Sequence, residues 1–316
     1  MSDINESSLR RAVLRHRPDL EADPLRFEPI PTGKFNTSFF VMAPAEQLVL
    51  RIAPPTDAGF VFYERHMMRQ EPAIHRLLLE RTGVPVARIF AFDDSAHPFG
   101  RTFLLMQRLP GRPFTETFDA DPNTVLQQVG RHLAATHSLT ADRHGYLGEH
   151  RPMPPMPTWV EAFDHMWNRM IDDVAAAGYY DSGEQARMRE LFATRRPYFD
   201  RPLTPRLLHM DIWHQNILVD DDARVTGLLD WDRALWGDPE IEFAVLDYCG
   251  ISTPAFWEGY GTPRDDSPEA RVRQVFYLLY ELQKYIVIRH ARNGRPAAAE
   301  RYKRQVLERV RHAFDT

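Results

Sequence analysis

One stretch in the last third of the chain restricts the possible folds more than any other. Residues 207–231 predict a loop, a strand, a turn and a second strand, with the turn at Val219–Ala223. Asp211 and Asn216 lie five residues apart on the loop that leads into the first strand, and Asp230 ends the return strand. Because the second strand of a hairpin returns to the end where the first began, these three oxygen-bearing side chains are predicted to converge.

The three side chains form a pattern that suits phosphoryl transfer. That reaction spreads negative charge over phosphate oxygens, and a hard cation must bridge the phosphates. Mg²⁺ prefers carboxylate and amide oxygens, so Asn216 and Asp230 are the candidate metal ligands. Asp211 is then the candidate catalytic residue, which accepts the proton of an attacking hydroxyl. The catalytic loop of kinases has the same spacing between its Asp and its Asn.

The bulk properties limit the class of protein. The chain has 316 residues, of which 43% are hydrophobic and 26% are charged, which is typical of a globular protein long enough for two lobes. The formal net charge is -5, and no run of basic residues argues for nucleic acid as a partner. No apolar run of about eighteen residues predicts a membrane span, and the polar N-terminus lacks the apolar core of a secretory signal. The single cysteine, Cys249, is interpreted as a small buried apolar residue, and a cytoplasmic enzyme is expected.

The first hundred residues predict a small antiparallel sheet with one helix. Helical spacing runs from Glu64 to Arg81, and Gly83 is placed to cap the end of that helix. The predicted strands are Phe27–Pro31, Thr37–Met42, Gln47–Ala53, Arg88–Asp93 and Arg101–Gln107.

Beyond Leu109–Pro113, which breaks both periods and predicts a linker, the chain is mainly helical. Capping boxes beginning at Thr158 and Ser182 each open a helix. Further helices are predicted at Val125–His137, Pro268–Arg292 and Ala297–Phe314.

With these motifs, the chain resembles the aminoglycoside phosphotransferase and choline kinase-like family of small-molecule kinases. The resemblance extends over most of the chain. The matching motifs are His209-Met210-Asp211, Asn216-Ile217-Leu218, Leu229-Asp230-Trp231 and Gly237-Asp238-Pro239, with Glu242 in the last acidic position. The resemblance implies a two-lobed, protein kinase-like α+β fold. Residues 1–108 would form an N-terminal nucleotide-binding lobe, and residues 109–316 a helical catalytic and substrate-binding lobe.

The resemblance also implies ATP and Mg²⁺ as cofactors and a nucleotide site between the lobes. Gly33 and Asn36 are expected to cover the phosphates, although the chain lacks the glycine-rich loop of protein kinases. Met106 begins the lobe-joining segment against which the adenine is expected to lie. Met210 replaces the glycine of the family pattern, a change expected to matter little.

Arg51 stands where protein kinases have a lysine in the third strand. Its guanidinium fork is expected to bind the α- and β-phosphates and to pair with a carboxylate. Glu71 is the first candidate partner, but Pro72 follows it directly and can bend or start a helix there. Glu64, about two helical turns earlier, is the competitor.

The sequence leaves several functions open. The leading prediction is transfer of the γ-phosphate of ATP to a hydroxyl of a small molecule, with an aminoglycoside or other antibiotic as the first candidate acceptor. A choline-, sugar- or amino-acid-like metabolite is the alternative acceptor. More remote alternatives are a catalytically silent nucleotide-binding protein and a metallohydrolase with His209, Asp211 and His214 as ligands. The oligomeric state is not predicted.

Overall fold

The computed structural model describes residues 4–21, 24–31, 35–55, 59–117 and 119–315. Its N-terminal part contains a five-stranded antiparallel sheet, as the sequence predicts, in the order β1-β2-β3-β5-β4. The strands are β1 (Arg26–Ile30), β2 (Thr37–Met42), β3 (Gln47–Ile52), β4 (Ile89–Asp93) and β5 (Phe103–Gln107).

Alternation along the strands gives this sheet two different faces. In β3, Leu48, Leu50 and Ile52 point to one face, where they pack in a cluster with Phe103 and Leu105 of β5. Val49 and Arg51 point to the other face, opposite Met106 and Leu104 in the β3–β5 register. The second face therefore carries the arginine that the sequence assigns to phosphate binding.

A helix that the sequence analysis did not predict covers the first face. Helix α1 (Glu6–His16) is opened by Asn5, whose side chain accepts a hydrogen bond from the Ser8 amide while the Ser8 hydroxyl accepts one from the Asn5 amide. Its apolar residues Leu9, Ala12 and Val13 are buried against the sheet. The N-terminal part thus has two α-helices among its described residues, instead of the single predicted one.

The predicted helix from Glu64 begins later than expected. Residues Met67–Gln70 form a 3₁₀ turn after His66, which has a left-handed backbone, and helix α2 is Glu71–Arg81. Pro72 explains this start, because proline lacks the N–H that an interior residue donates four residues back. At the other end Thr82, not Gly83, caps the helix, and its amide donates to the Leu78 carbonyl.

The rest of the chain is mainly helical, as predicted. Its helices are α3 (Pro122–His137), α4 (Trp159–Ala176), α5 (Ser182–Arg195), α6 (Pro239–Tyr248), α7 (Pro254–Tyr260), α8 (Pro268–Val287) and α9 (Pro296–Phe314). A short π-helix, Ile288–Arg292, ends the stretch predicted as one helix from Pro268. Asp181, one residue before the predicted Ser182, forms the capping box of α5 with Glu184. No helix in these described ranges is long and apolar enough to cross a membrane.

Two small sheets place the loop that carries Asp211 and Asn216 next to the N-terminal part. Strands β6 (Arg112–Pro113), β8 (Ile217–Val219) and β9 (Val225–Leu228) pair antiparallel in the order β6-β8-β9. Strands β7 (Arg206–Leu208) and β10 (Leu235–Gly237) form the second pair. The Leu228 amide donates to the Pro85 carbonyl at 2.8 Å, so the end of β9 meets the segment between α2 and β4. The division of the chain into lobes at residues 108 and 109 stays a prediction.

The close approach of Gly237 to the Trp159 ring generates a test of this packing. A β-carbon added at Gly237 would lie 2.2 Å from the ring, which is buried and held by a hydrogen bond from its indole nitrogen to the Tyr277 hydroxyl. We expect Gly237→Ala to lower the free energy of unfolding by about 1–3 kcal/mol, because the ring cannot move without disturbing its neighbours. Gly83→Ala is the control, since nothing lies within 4 Å of its added β-carbon. Equal urea midpoints for the two variants would contradict the prediction.

Candidate active site

The hairpin brings the predicted residues to one end. Asp230 lies two residues after the end of β9 and has a left-handed backbone with φ of 72°. The amide of the preceding residue, Leu229, donates to the Asn216 carbonyl at 2.9 Å. Asn216 and Asp230 therefore lie side by side at the open end of the hairpin, as their spacing predicts.

Asn216 also binds the loop that carries Asp211. Its side-chain nitrogen donates to the Asp211 carbonyl at 2.9 Å and lies 3.5 Å from a carboxylate oxygen of the same residue. Because the loop occupies the nitrogen end of the amide, the oxygen end is the part that can face a cation. The three residues form one connected group.

His209 holds this loop by using both of its ring nitrogens on backbone groups. Nε2 donates to the Leu229 carbonyl at 2.8 Å, and Nδ1 accepts from the Asp211 amide at 3.2 Å. Burial lowers the pKa of His209, which favours the neutral ring that this pair of bonds requires. His209 is therefore a structural residue of the loop and has no free nitrogen for a metal.

Glu242, which the sequence analysis noted without a role, anchors the same loop from beneath. Its carboxylate accepts hydrogen bonds from the amides of His209 and Met210, the latter at 2.7 Å, and contacts His137 Nε2 at 2.8 Å. Burial opposes its ionisation, but the bonds to His137 and the loop outweigh burial and lower the pKa of Glu242. Glu242 thus fixes the backbone that presents Asp211.

Met210 has a backbone conformation that the sequence did not reveal. Its φ is 66°, in the left-handed region that favours glycine, yet its side chain is only 4% exposed and packs in the main helical core. Left-handed backbone costs a non-glycine residue about 1–2 kcal/mol. Burying a methionine side chain contributes about 1.5–3 kcal/mol. The apolar contacts of Met210 therefore offset its strained backbone.

Arg51 joins the sheet to this hairpin. One guanidinium nitrogen donates to Glu71 at 2.6 Å, and the other donates to Asp230 and lies 3.5 Å from Asp232. Burial disfavours the charged guanidinium, but the three carboxylates outweigh burial and raise the pKa of Arg51. Of the two candidate partners, Glu71 makes the contact.

Asp232 and Gln70 take part in this contact region without having been predicted as site residues. Asp232 is 2% exposed, and its backbone carbonyl accepts a hydrogen bond from the Gln70 side chain. Burial, with the charges of Asp230 and Glu71, raises the pKa of Asp232 well above its usual range. Burial also raises the pKa of Asp230, and Glu71 and Asp211 add to the effect even though Arg51 opposes it. Three carboxyl groups thus surround one guanidinium, and a divalent cation held by hard oxygen ligands would favour their ionised forms.

Asp211 has the opposite electrostatic environment. Arg233 donates to one of its carboxylate oxygens at 3.1 Å and donates to Glu64 at 3.1 Å. Burial opposes the ionisation of Asp211, but the positive charges of Arg233 and Lys284 outweigh burial and lower its pKa. Asp211 is therefore ionised at neutral pH and can accept a hydrogen bond or a proton.

The remaining predicted nucleotide residues have less defined surroundings. Gly33 lies outside the described residues. Asn36 is buried, and its side-chain oxygen has no hydrogen-bond partner among the described residues. Met106 lies on the sheet face that carries Arg51. It is the second-last residue of β5, which is followed by the segment that leads to β6.

Comparison with known proteins places this geometry in context. Residues 26–306 match the family model described as "Phosphotransferase enzyme family". Among curated proteins, the viomycin phosphotransferase of Streptomyces vinaceus is 27% identical over 150 residues, which cover 46% of this chain and 49% of that protein. A probable ketoamine kinase of Synechocystis sp. is 24% identical over 168 residues, covering 49% of this chain and 54% of that protein. The chain thus spans about half the length of the curated relatives it matches.

Solved structures share the fold over nearly the whole chain. A ternary complex of aminoglycoside phosphotransferase APH(4)-Ia with AMP-PNP and hygromycin B superposes with a TM-score of 0.68 at 17% identity, covering 98% of this chain and 100% of that one. A putative fructosamine-3-kinase from Thermobifida fusca gives a TM-score of 0.65 at 20% identity, covering 96% and 99%. These likenesses confirm the predicted two-lobed, kinase-like fold.

The raised pKa values of Asp230 and Asp232 predict how stability depends on pH and Mg²⁺. A carboxyl whose folded pKa exceeds its unfolded value stabilises the protein below the unfolded pKa, about 3.9, and that stability is lost as pH rises through the folded pKa. Asp232→Asn should therefore raise the unfolding temperature more at pH 8 than at pH 5. Mg²⁺ should stabilise the unchanged protein more at pH 8, because it offsets the same excess charge.

Thermal unfolding at both pH values, with and without Mg²⁺, measures these effects. The control is Asp221→Asn, which changes an exposed carboxylate in the turn at the far end of the hairpin. A Mg²⁺ effect of equal size at both pH values, or one unchanged in Asp230→Asn, would remove the argument for a cation at this place.

Proposed function

Because the chain belongs to the phosphotransferase enzyme family, we propose that it is an ATP-dependent kinase of a small molecule that carries a hydroxyl group. One observation carries the proposal. Asp211, Asn216 and Asp230 converge at the end of the β8–β9 hairpin, and Arg51, paired with Glu71, reaches the same point from the sheet. Phosphoryl transfer depends on positioning and charge stabilisation, which is what such a group of side chains supplies.

The nucleotide is proposed to lie between the sheet and the hairpin. Arg51 would contact its phosphates, since a guanidinium fork matches phosphate oxygens. Gly33 and Asn36 would cover the phosphates. The adenine would lie near Met106, before the connection to β6. A nucleotide analogue in the structural relative APH(4)-Ia supports this class of ligand.

The chemistry of the donor set suits Mg²⁺. Asp230 and Asn216 would hold it, because one offers a carboxylate with excess negative charge around it and the other a free amide oxygen. When bound, the ion would neutralise charge on the phosphates of the nucleotide.

Asp211 is proposed to act on the acceptor. Its carboxylate accepts a hydrogen bond from the acceptor hydroxyl and orients the oxygen towards the γ-phosphorus. As the new oxygen–phosphorus bond forms, the bond from the γ-phosphorus to the β,γ-bridging oxygen breaks and ADP leaves. The hydroxyl proton passes to Asp211. The low pKa of Asp211 suits this order, since the proton moves late in a loose transition state.

An antibiotic remains the first proposed acceptor, and a metabolite is the alternative. The partial relatives include viomycin and hygromycin-B kinases as well as a probable ketoamine kinase. Carboxylates late in the chain do not favour a polycationic acceptor on their own, because several are already paired with cations. These pairs are Asp247 with Arg264, Asp265 with Arg273, and Glu281 with Lys284.

The two remote alternatives fare differently. The metallohydrolase needs His209 as a ligand, but both of its nitrogens bind backbone groups, and the His214 ring stacks on Phe114. The argument for a silent nucleotide-binding protein is that Arg51 replaces lysine, and a measurement of ATP turnover decides between this alternative and a kinase.

We propose that the protein acts in the cytoplasm, since a kinase needs a supply of ATP.

The test is ATP consumption by purified protein with Mg²⁺ and a panel of acceptors: aminoglycosides, macrolides, choline, homoserine, fructosamines and simple sugars. We expect ADP release that depends on one class of acceptor. Asp211→Asn should lower kcat about 10²–10⁴-fold, the usual contribution of a positioned base. Asp230→Asn should abolish Mg²⁺-dependent turnover while the protein stays folded.

The control variant, Asp221→Asn, makes the same chemical change at the exposed turn of the hairpin and should keep full activity. Full activity of Asp211→Asn would end the assignment of the base. Nucleotide binding without turnover on any acceptor, and without ATP hydrolysis, would favour the silent protein.

A further inference from the structure

A line of four buried or partly buried charges begins at Asp211. In order they are Asp211, Arg233, Glu64 and Arg292, alternating negative and positive, and we call them the ion chain. They come from the catalytic loop, the segment after Asp230, the segment before α2 and the π-helix after α8. The sequence did not connect Arg233, Glu64 and Arg292 with Asp211, and the proposed function gives these three residues no role.

Glu64 is the central member of the ion chain. It is 1% exposed, and both of its carboxylate oxygens are occupied. One accepts from Arg233 at 3.1 Å, and the other accepts from Arg292 and from the Val61 amide. Since a buried carboxylate with two guanidinium partners cannot turn freely, Glu64 holds Arg233 in one orientation.

Arg292 is fixed in turn by the π-helix. It also donates to the Gly59 carbonyl at 3.2 Å, and its guanidinium lies 4.4 Å from the centre of the Phe35 ring. A β-carbon added at Gly59 would lie 2.1 Å from Cβ of Ala291, so the two segments are in close contact. A π-helical turn holds one residue more than an α-helical turn, which changes the direction of the side chains that follow. Such π-helical turns are frequent at functional sites.

We propose that Arg233 is a positioning residue for Asp211, and that Glu64 and Arg292 hold Arg233 in the orientation this requires. The proposal rests on the proposed kinase function. Arg233 occupies one carboxylate oxygen of Asp211, which stops the carboxylate from rotating and leaves the other oxygen to receive the acceptor hydroxyl. Orientation of this kind is worth a large part of a rate, because a misplacement of about 1 Å can cost 10²-fold.

A purely structural ion chain makes a different prediction. It would lower the free energy of unfolding when broken but would leave kcat unchanged at temperatures where the variant is folded. The positioning role instead lowers kcat, and in Glu64→Gln it leaves the KM for ATP unchanged, because Glu64 is not proposed to contact the nucleotide. Arg292 also contacts Phe35, next to the proposed phosphate-covering residues, so the KM for ATP of Arg292→Met does not distinguish the two roles.

The experiment uses Glu64→Gln, Arg292→Met and the double variant, each assayed well below its unfolding temperature. Two rates are measured: phosphorylation of the acceptor found in the panel, and the slow hydrolysis of ATP, which needs no acceptor. We expect each single variant to lower kcat about 10- to 100-fold in both assays, with the KM for ATP of Glu64→Gln changed less than about twofold. The double variant should be no slower than the slower single one, because both changes act through Arg233.

Arg187→Met is the matched control, since Arg187 forms an exposed ion pair with Asp315 at the chain's far end. Its kcat should equal that of the unchanged protein. Unchanged kcat in Glu64→Gln and Arg292→Met, or independent losses that multiply in the double variant, would overturn the positioning role and leave the kinase proposal standing. Absence of turnover in the unchanged protein in both assays would overturn the kinase proposal, and the positioning role with it.

Discussion

The contact of Arg51 with three carboxylates is the interaction on which the site depends. It joins β3 to α2 through Glu71 and to the end of the β8–β9 hairpin through Asp230 and Asp232. Removing one partner of a buried ion pair costs about 3–5 kcal/mol, because the remaining charge is left uncompensated. The sheet and the hairpin are therefore held at a separation that lets a residue from each reach one ligand.

The loop that carries Asp211 depends on a second group of buried charges, for which no chemical role is proposed. Glu242 accepts from the two amides that precede that of Asp211, so neither of these buried donors is left unpaired. Asp238 caps α6 and accepts from Arg201 and the Tyr277 hydroxyl. Packing and helix capping thus explain the Gly237-Asp238-Pro239 motif.

The sequence was sufficient for features that depend on neighbouring residues. Alternation predicted β2 with its exact ends, and motif spacing placed Asn216 beside Asp230. The sequence was insufficient where contacts between residues far apart in the chain determine the structure. Helix α1 is polar along most of its length and becomes recognisable only when Leu9, Ala12 and Val13 meet the sheet. Periodicity also cannot reveal contacts between residues far apart in the chain, such as those of Asp232 with Arg51 and of Glu64 with Arg233.

Asp211 and Asp230 differ because their environments shift their pKa values in opposite directions. Arg233 and Lys284 lower the pKa of Asp211, whereas burial and the neighbouring carboxylates raise that of Asp230. In the linked groups described above, the carboxylates of Asp211, Asp230, Asp232, Glu64 and Glu71 face the guanidiniums of Arg51, Arg233 and Arg292. Carboxyl groups outnumber guanidiniums by two, and the raised pKa values show that ionisation is least favoured at Asp230 and Asp232. A divalent cation would favour the ionised form of Asp230 and leave Asp211 ionised, so the proposed roles of metal binding and proton acceptance can be separated within one cluster.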